Sequence, residues 1–234
     1  MRSTSFWLGT VVLSLVLHVA WQSAAADAPV VRGGARADGI AAVVGGAAPG
    51  PGVDLVLVSD VDLRARIMLS GRLDRPAAGM PVPPSLMAST LDQIVGELLI
   101  AREAERVRVT PPGPAALAAE RARLQQEAGG VTTLTELLRR TGATRREVGA
   151  IARRRALVAA FLQANLEGTT VVTDAEVERV YEAGEHPFVG RPLVEVQREL
   201  RAIIARQAID LAVRRWVNVL RARTVVTLLV HFDD

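Results

Sequence analysis

The chain has 234 residues, half of them hydrophobic, and a formal net charge of +3. It contains no cysteine, which excludes structural disulfides, thiolate zinc sites and cysteine nucleophiles. All 28 basic residues are arginine, so a Schiff-base lysine and a P-loop lysine are excluded as well.

The first 26 residues have the three parts of a secretory signal peptide. Arg2 supplies a positive start, residues 8–19 form a short apolar run, and small residues precede a cleavage site after Ala26. The run is shorter than the roughly 20 residues that a membrane-spanning helix needs, so we expect cleavage, export and no stable membrane insertion. An uncleaved anchor or a buried helix is the alternative. Residues 27–38 are rich in glycine, alanine and arginine and are predicted to be a disordered linker.

Two β-rich segments follow the linker. Residues 39–44 and 53–58 favour strands, and the glycine- and proline-rich residues 45–52 between them predict a hairpin with a long loop. The loop has the glycine spacing of a phosphate-binding P-loop, but Pro51 and Gly52 stand where lysine and serine or threonine are required. We therefore interpret it as a turn.

Three aspartates, Asp54, Asp60 and Asp62, lie close to the point where the second strand passes into a helix. They either bind a metal ion or help the helix to begin. Ser59 and Asp62 have the spacing of a capping box, and Asp60 lies where the helix dipole favours negative charge. A divalent ion would need more oxygen ligands than this segment supplies. We therefore predict that Ser59 caps a helix.

A long helix is predicted to begin after Pro84. Its apolar residues keep a broad helical stripe, which places Glu97, Glu103 and Glu105 on a solvated face. Thr110 is predicted to cap the next helix, with prolines in its opening positions.

Four more helices are marked by their terminal residues. The helix after Thr110 is predicted at residues 115–128, and the first of the four further helices is a short one that ends at Gly142. Thr144 and Thr173 are predicted to cap two further helices, and Pro192 begins the last and longest one.

The order of these elements predicts a mainly α fold with a small β-sheet. An isolated hairpin is marginal in water, so the C-terminal strand, residues 224–230, is expected to join the N-terminal hairpin in one core. Residues 39–234 would then form one module. Its core would come from residues 39–110 and 171–234, and a helical lobe from about residue 111 to residue 170.

The sequence lacks the patterns of the common catalytic and metal sites. After the predicted signal peptide, His186 and His231 are the only histidines, and neither has the spacing of a zinc site. No G-x-S-x-G nucleophile motif is present. We therefore predict no catalytic residue, no metal and no cofactor, and we do not expect an enzyme.

One segment is strongly basic. It contains five arginines that we predict to form a solvated surface attracting acidic clients: Arg139, Arg140, Arg153, Arg154 and Arg155. A nucleic-acid partner is not expected, because base contacts usually need aromatic side chains, which are scarce here, and because the export signal argues against access to DNA.

Four stretches of the chain resemble, in order, the SurA-type periplasmic chaperones and parvulin-linked foldases. They cover nearly all of the sequence after the predicted signal peptide. The four stretches are "GIAAVVG…VDLVLVSDVDLRARIML", "LMASTLDQIVGELLIAREAERVRVTPP", "TRREVGAIARRRALVAAFLQANLEGTTVVTDAEVERVYEA" and "VRRWVNVLRARTVVTLL".

The resemblance implies a SurA N-terminal-like fold and an ATP-independent periplasmic chaperone that binds unfolded exported proteins, such as outer-membrane protein precursors. Such a protein needs apolar contacts that tolerate many sequences. Met68, Met80 and Met87 lie close to the proline- and glycine-rich linker 71–84, and with Leu98 they are predicted to bind client peptides. Ordinary core or loop positions are the alternative for these residues.

The chain departs from the family in one important respect. Only a short segment separates Tyr181 from the last helix, where the family often carries parvulin domains, so prolyl isomerase activity is expected to be missing. A second function stays open: an exported structural or assembly adaptor that docks one fixed partner or dimerises. Homo-oligomerisation is compatible with both. Suppressing the aggregation of several unrelated proteins would distinguish a chaperone from an adaptor.

Overall fold

The structure is a computed structural model that describes residues 38–50, 52–166 and 171–232. The predicted signal peptide, its cleavage site after Ala26 and the linker up to residue 37 lie outside the described residues. The described part is mainly helical and carries a small antiparallel sheet, which confirms the predicted fold class. Its elements are β1 (Ile40–Val44), β2 (Asp54–Leu57), α1 (Val58–Leu73), α2 (Pro84–Arg106), α3 (Pro114–Glu127), α4 (Val131–Thr141), α5 (Arg145–Leu166), α6 (Asp174–Ala183), α7 (Leu193–Arg223) and β3 (Val226–Leu228).

The sheet joins segments from opposite ends of the described chain. Its strand order is β2-β1-β3, and β1 is antiparallel to both neighbours. Val43 in the central strand lies opposite Leu55 of β2 and Thr227 of β3. The prediction that the C-terminal strand joins the N-terminal hairpin is therefore confirmed, and each strand ends within two residues of its predicted limits.

The described residues fall into two compact units. The larger unit contains the described residues up to residue 161 together with residues 217–232, and the smaller contains residues 162–166 and 171–216. A buried cluster in the larger unit joins α1, α3, α4 and the first half of α5. The members of this cluster are Leu63, Ile67, Leu124, Ala128, Leu134, Leu137, Leu138, Val148, Ile151 and Ala152.

Gly71 allows α1 and α3 to approach closely. A Cβ atom built at this position would lie 1.9 Å from the backbone carbonyl oxygen of Glu127, far inside van der Waals contact. Only a residue without a side chain fits here, because the obstructing atom belongs to the backbone and cannot rotate away.

The smaller unit is tied together by polar contacts near α6 and the first part of α7. The guanidinium of Arg201 donates to the Val172 carbonyl oxygen at 2.8 Å and pairs with Asp174. The Tyr181 hydroxyl donates to the Arg191 carbonyl oxygen at 2.6 Å, which closes the turn between the two helices.

Several predicted helix ends are confirmed. Gly142 ends α4 in the left-handed conformation, with φ 75°. Thr144 precedes α5, and its N–H donates to the Glu147 carboxylate at 2.6 Å. Thr173 forms a complete capping box with Glu176 at the start of α6. These ends follow from local signals, because each cap involves residues no more than three positions apart.

Two predicted caps are wrong. Ser59 is already inside α1, and its hydroxyl donates to Asp38 at 2.7 Å instead of capping the helix. The N–H of Leu57 donates to Asp60, also at the start of α1, at 3.1 Å. The helix after Thr110 begins at Pro114, because proline forces the preceding residue, Gly113, out of the helical region.

Candidate functional site

The predicted client-binding residues do not all lie on the surface. Met87 and Leu98 are buried in α2, so the expectation of exposed apolar side chains is wrong at these two positions. Leu98 lies within residues 94–101, which are all buried, and Met87 lies beside the buried Leu86 and Thr90 in the first turns of α2. Met68 and Met80 are partly exposed, and their role in client binding stays a prediction.

The linker that carries Met80 is held against α1 by an arginine. Arg66 Nη1 donates to the Ala77 carbonyl oxygen at 2.6 Å and to the Met80 carbonyl oxygen at 2.9 Å. The same guanidinium donates through Nε to Asp62 at 2.7 Å. Asp62 therefore orients Arg66, which fixes the linker's path.

The other two aspartates near the start of α1 also have structural partners. Asp54 Oδ2 accepts from Arg102 Nη1 at 2.7 Å, and this ion pair connects β2 to α2. Asp60 accepts from the Leu57 N–H. No group of three or more potential metal ligands occurs within the described residues. These contacts support the structural interpretation of the three acids.

The predicted basic surface divides into exposed and buried members. Arg139 and Arg140 are exposed, and both pair with Glu136, whose pKa their hydrogen bonds lower to about 2. Arg153 is exposed and Arg154 is partly buried. Arg155 is only 2% exposed, so its assignment to the client-attracting surface is wrong.

Arg155 belongs instead to a buried charge cluster, which we define as Arg64, Glu97, Glu127 and Arg155. Arg64 Nη2 donates to Glu97 Oε1 at 2.5 Å, and Arg155 Nη1 donates to Glu127 Oε1 at 2.7 Å. Arg155 Nε lies 3.6 Å from Glu97 Oε1. The charged side chains of this cluster therefore come from four helices, α1, α2, α3 and α5.

Glu97 is the centre of this cluster and contradicts the predicted solvated face of α2. It is 7% exposed. Burial on its own raises the pKa of the Glu97 carboxyl, but the charges of Arg64 and Arg155 outweigh burial and hold that pKa below its usual value. Burial lowers the pKa of the Arg64 guanidinium, against the opposing attraction of Glu97. Two buried positive groups thus depend on the ionised form of one carboxylate.

Several buried polar atoms of the cluster have no hydrogen-bond partner within the part of the chain that the structure describes. They include Arg64 Nε, Arg155 Nε and Glu97 Oε2. Burying charged groups is costly unless they are paired and hydrogen-bonded, so the cluster stabilises the fold less than an apolar core of equal size would. A packing that separated these four side chains would leave a charge alone in the interior, which is costly.

A small cleft lies beside the cluster, with a volume of about 60 Å³. Its polar walls come from Asp60, Arg64, Glu147 and Arg154, and its apolar walls come from α1, α2 and α5. The two acids and two bases balance, so the cleft has no net charge that would select an anion or a cation.

The smaller unit exposes large aliphatic side chains. Val171, Val189 and Val194 are 75%, 74% and 84% exposed, and Leu211 in α7 is also exposed. The buried aliphatic residues of α6 and of α7 in this unit are Val177, Val196, Leu200 and Val213.

An aromatic group lies in the turn between α6 and α7. The rings of Tyr181 and His186 stack with centroids 5.1 Å apart, and Phe188 lies 6.2 Å from His186. The Phe188 N–H donates to His186 Nδ1 at 3.1 Å, and Arg191 lies over the Phe188 ring. Through Nε2, His186 also donates to the Tyr181 carbonyl oxygen at 3.1 Å. The turn is thus ordered by stacking and by these two hydrogen bonds of the imidazole.

None of the helices within the described ranges is both long and apolar enough to cross a membrane. No protein-family model, curated protein or solved structure matches this chain. The resemblance to SurA-type chaperones therefore rests on the sequence motifs alone.

Proposed function

We propose that this chain is an exported, ATP-independent chaperone that holds unfolded proteins in the periplasm, with outer-membrane protein precursors among its clients. The order of the four sequence motifs supports the class of protein. The pairing of β3 with β1 is compatible with it, since the resemblance implies a SurA N-terminal-like fold.

The observation that carries the proposal is the set of exposed valines in the smaller unit. A protein that holds many different unfolded chains needs apolar contacts without a fixed shape requirement. Val171, Val189 and Val194 each expose about three quarters of their surface or more, in a unit with few buried aliphatic residues. Burying such side chains against a client would release free energy in proportion to the apolar area removed from water.

Charge supports the same proposal more weakly. Arg139 and Arg140 carry two positive charges against the single negative charge of Glu136, and Arg153 adds another exposed positive charge. A surface with excess positive charge raises the rate at which acidic chains arrive, and this effect decreases with salt.

The direct test is an aggregation-suppression assay without nucleotide, using the chain from Asp27 onward. The clients are an unfolded outer-membrane barrel protein and two unrelated unfolded soluble proteins, followed by light scattering. We expect suppression of all three at a near-stoichiometric ratio. Suppression of one client only would favour the adaptor with a fixed partner, and no suppression would refute the chaperone.

A pair of variants tests the valines. Val189→Ser combined with Val194→Ser is expected to weaken client retention by roughly thirtyfold, because each valine buried against a client contributes about 1 kcal/mol, about 2 kcal/mol together. Val131→Ser is the matched control, since Val131 is an exposed valine of α4 in the larger unit. Equal loss of retention in both variants would contradict the assignment of client binding to the smaller unit.

A further inference from the structure

One face of the first half of α5 carries only positive charge. Arg145, Arg146 and Arg153 are exposed, and at about 100° per residue they lie within about 100° of one another around the helix axis. Their Cα atoms span about 12 Å along that axis. Gly149 lies between Arg145 and Arg153 on the same face, so no bulky side chain separates these two guanidinium groups. We call the three arginines the α5 arginine face.

The charges of the α5 arginine face are not balanced by nearby acids. None of its three arginines forms a hydrogen bond or an ion pair within the part of the chain that the structure describes. Glu147, the one acidic residue in the α5 sequence, lies about 160° around the helix from Arg145, and its carboxylate accepts from the N–H and the hydroxyl of Thr144 at 2.6 Å each. By contrast, the exposed Arg139 of α4 pairs with Glu136. The α5 arginine face therefore has its donors and its charge available for a partner.

The chemistry of this face selects among anionic partners. Nucleic-acid recognition usually includes aromatic side chains for base stacking, but the only aromatic residue of α5 is Phe161, which is buried. An unfolded polypeptide needs apolar contacts, and the face has no large apolar side chain. A plane of lipid phosphates suits a convex helix face better, because each guanidinium can bind phosphate oxygens in pairs without a fixed register between the arginines and their partners.

We propose that the α5 arginine face binds the surface of a bilayer that contains anionic phospholipids. The guanidinium groups contact headgroup phosphates, and the interaction requires no insertion into the hydrocarbon region. An arginine close to an anionic bilayer increases the binding constant about fivefold, so the three together contribute about 100-fold. Such binding is reversible and decreases with salt. It is separate from client retention, which we assign to the exposed valines of the smaller unit.

The first test measures binding to vesicles by flotation, with the chain from Asp27 onward, which contains every described residue. Vesicles of phosphatidylglycerol and phosphatidylcholine in equal amounts are expected to carry the protein at about 50 mM salt and to release it at about 500 mM, whereas pure phosphatidylcholine vesicles are expected not to carry it. Combining Arg145→Gln, Arg146→Gln and Arg153→Gln is expected to weaken binding to the anionic vesicles about 100-fold. A wild-type protein that binds neither kind of vesicle, or both equally, overturns the proposal.

A matched variant removes the same charge elsewhere. Arg198, Arg206 and Arg215 are three exposed arginines of α7 in the smaller unit, on a helix that mixes acidic and basic residues. Replacing all three with glutamine changes the net charge of the chain by the same amount and is expected to weaken vesicle binding by about threefold or less, because these residues lie outside the α5 arginine face. Equal weakening in the two triple variants would show that net charge holds the protein at the vesicle, which overturns the proposal.

The second test separates charge from shape. Combining Arg145→Lys, Arg146→Lys and Arg153→Lys keeps the three charges but replaces each planar guanidinium with a compact ammonium group. This variant is expected to bind anionic vesicles within about threefold of the wild type, because mobile headgroups can adapt to a point charge. A loss as large as that of the glutamine variant would indicate a shaped site for one particular anion and overturns the assignment to a membrane surface.

The third test compares other polyanions at the same salt concentration. Arg153 also belongs to the surface proposed to attract acidic clients, so polyglutamate and single-stranded DNA are titrated against the wild type and the glutamine variant. We expect both to bind more weakly per negative charge than the anionic vesicles, because a flexible chain must be ordered along the helix to reach all three arginines. Tighter binding of polyglutamate that is lost in the glutamine variant overturns the proposal and assigns the face to acidic polypeptides. The same result with DNA overturns it and assigns the face to nucleic acid.

Discussion

Replacing Glu97 with glutamine is expected to destabilise the larger unit strongly. The change keeps the size of the side chain but removes the charge shared by two buried arginines. Arg64 then loses its partner at 2.5 Å, and no other carboxylate among the described residues is hydrogen-bonded to it. Arg155 retains Glu127 at 2.7 Å. Arg64 is thus left as a buried charge with only the weaker attraction of Glu127 as compensation.

The expected cost follows from this geometry. Removing one partner of a buried ion pair costs about 3–5 kcal/mol, which corresponds to a decrease in melting temperature of about 6–20 °C for a chain of this length. Glu127→Gln is expected to cost less, about 1–3 kcal/mol, because Arg155 keeps Glu97 at 3.6 Å and Glu127 is partly exposed. Glu136→Gln is the control and is expected to change the melting temperature only slightly, because its partners Arg139 and Arg140 are exposed and surface ion pairs contribute little.

The effect of Glu97→Gln should depend on pH. Because the pKa of Glu97 is lower in the folded protein than in the unfolded chain, the ionised carboxylate stabilises the fold above the ordinary glutamate pKa near 4.5. That contribution is lost as the pH falls through the lowered folded-state pKa. The stability difference between wild type and variant is therefore expected to be largest at neutral pH and to decrease below about pH 4.5.

Thermal and urea unfolding, followed by circular dichroism at several pH values, measure these differences. Equal stability of Glu97→Gln and wild type at pH 7 would refute the argument that Glu97 compensates two buried arginines. A large loss that stayed constant down to pH 3 would indicate that shape, and not charge, is responsible.

Two other expectations can be tested in the same preparations. Gly71→Ala should destabilise the protein by about 1–3 kcal/mol or more, because the added methyl group meets the Glu127 carbonyl oxygen. Gly149→Ala lies inside α5 with no atom within 4 Å of the new methyl group and should stabilise the protein by about 0.5–1 kcal/mol. If unfolding experiments showed that Gly71→Ala stabilises the protein and Gly149→Ala destabilises it, the packing of α1 on α3 would be contradicted. A proline-peptide isomerisation assay is expected to show no turnover above background, and measurable turnover would revive a degenerate isomerase.

The positions of most helices could be predicted from the sequence because their ends are set by local chemistry. Pro84 begins α2, Gly142 follows α4, and Thr173 caps α6 through a residue three positions away. Such signals do not depend on the rest of the fold. Ser59 was mispredicted because its hydroxyl is bonded to Asp38, a residue 21 positions away whose approach no local pattern reveals.

The buried charge cluster could not be predicted because helical spacing does not reveal what packs against each face. At about 100° per residue, Glu103 and Glu105 lie about 120° and 80° around α2 from Glu97, and only Glu97 is buried, opposite Arg64 and Arg155. A weak signal was present: Glu97 is followed by "LLIA", an apolar run too continuous for a helix with one solvated face. The prediction that Arg155 lies on the surface is wrong for a related reason. It treats neighbouring arginines as one surface, but consecutive residues of a helix lie on different sides of it.

The pairing of β1 with β3 also constrains the order in which the molecule can mature. Val43 and Thr227 become neighbours only when nearly the whole described chain is present, so β1 has one open side during synthesis. Until the last segment emerges, that side is available to any extended polypeptide nearby. A nascent chain stalled before residue 226 would therefore be prone to non-native strand association, even though most of its helices are already complete.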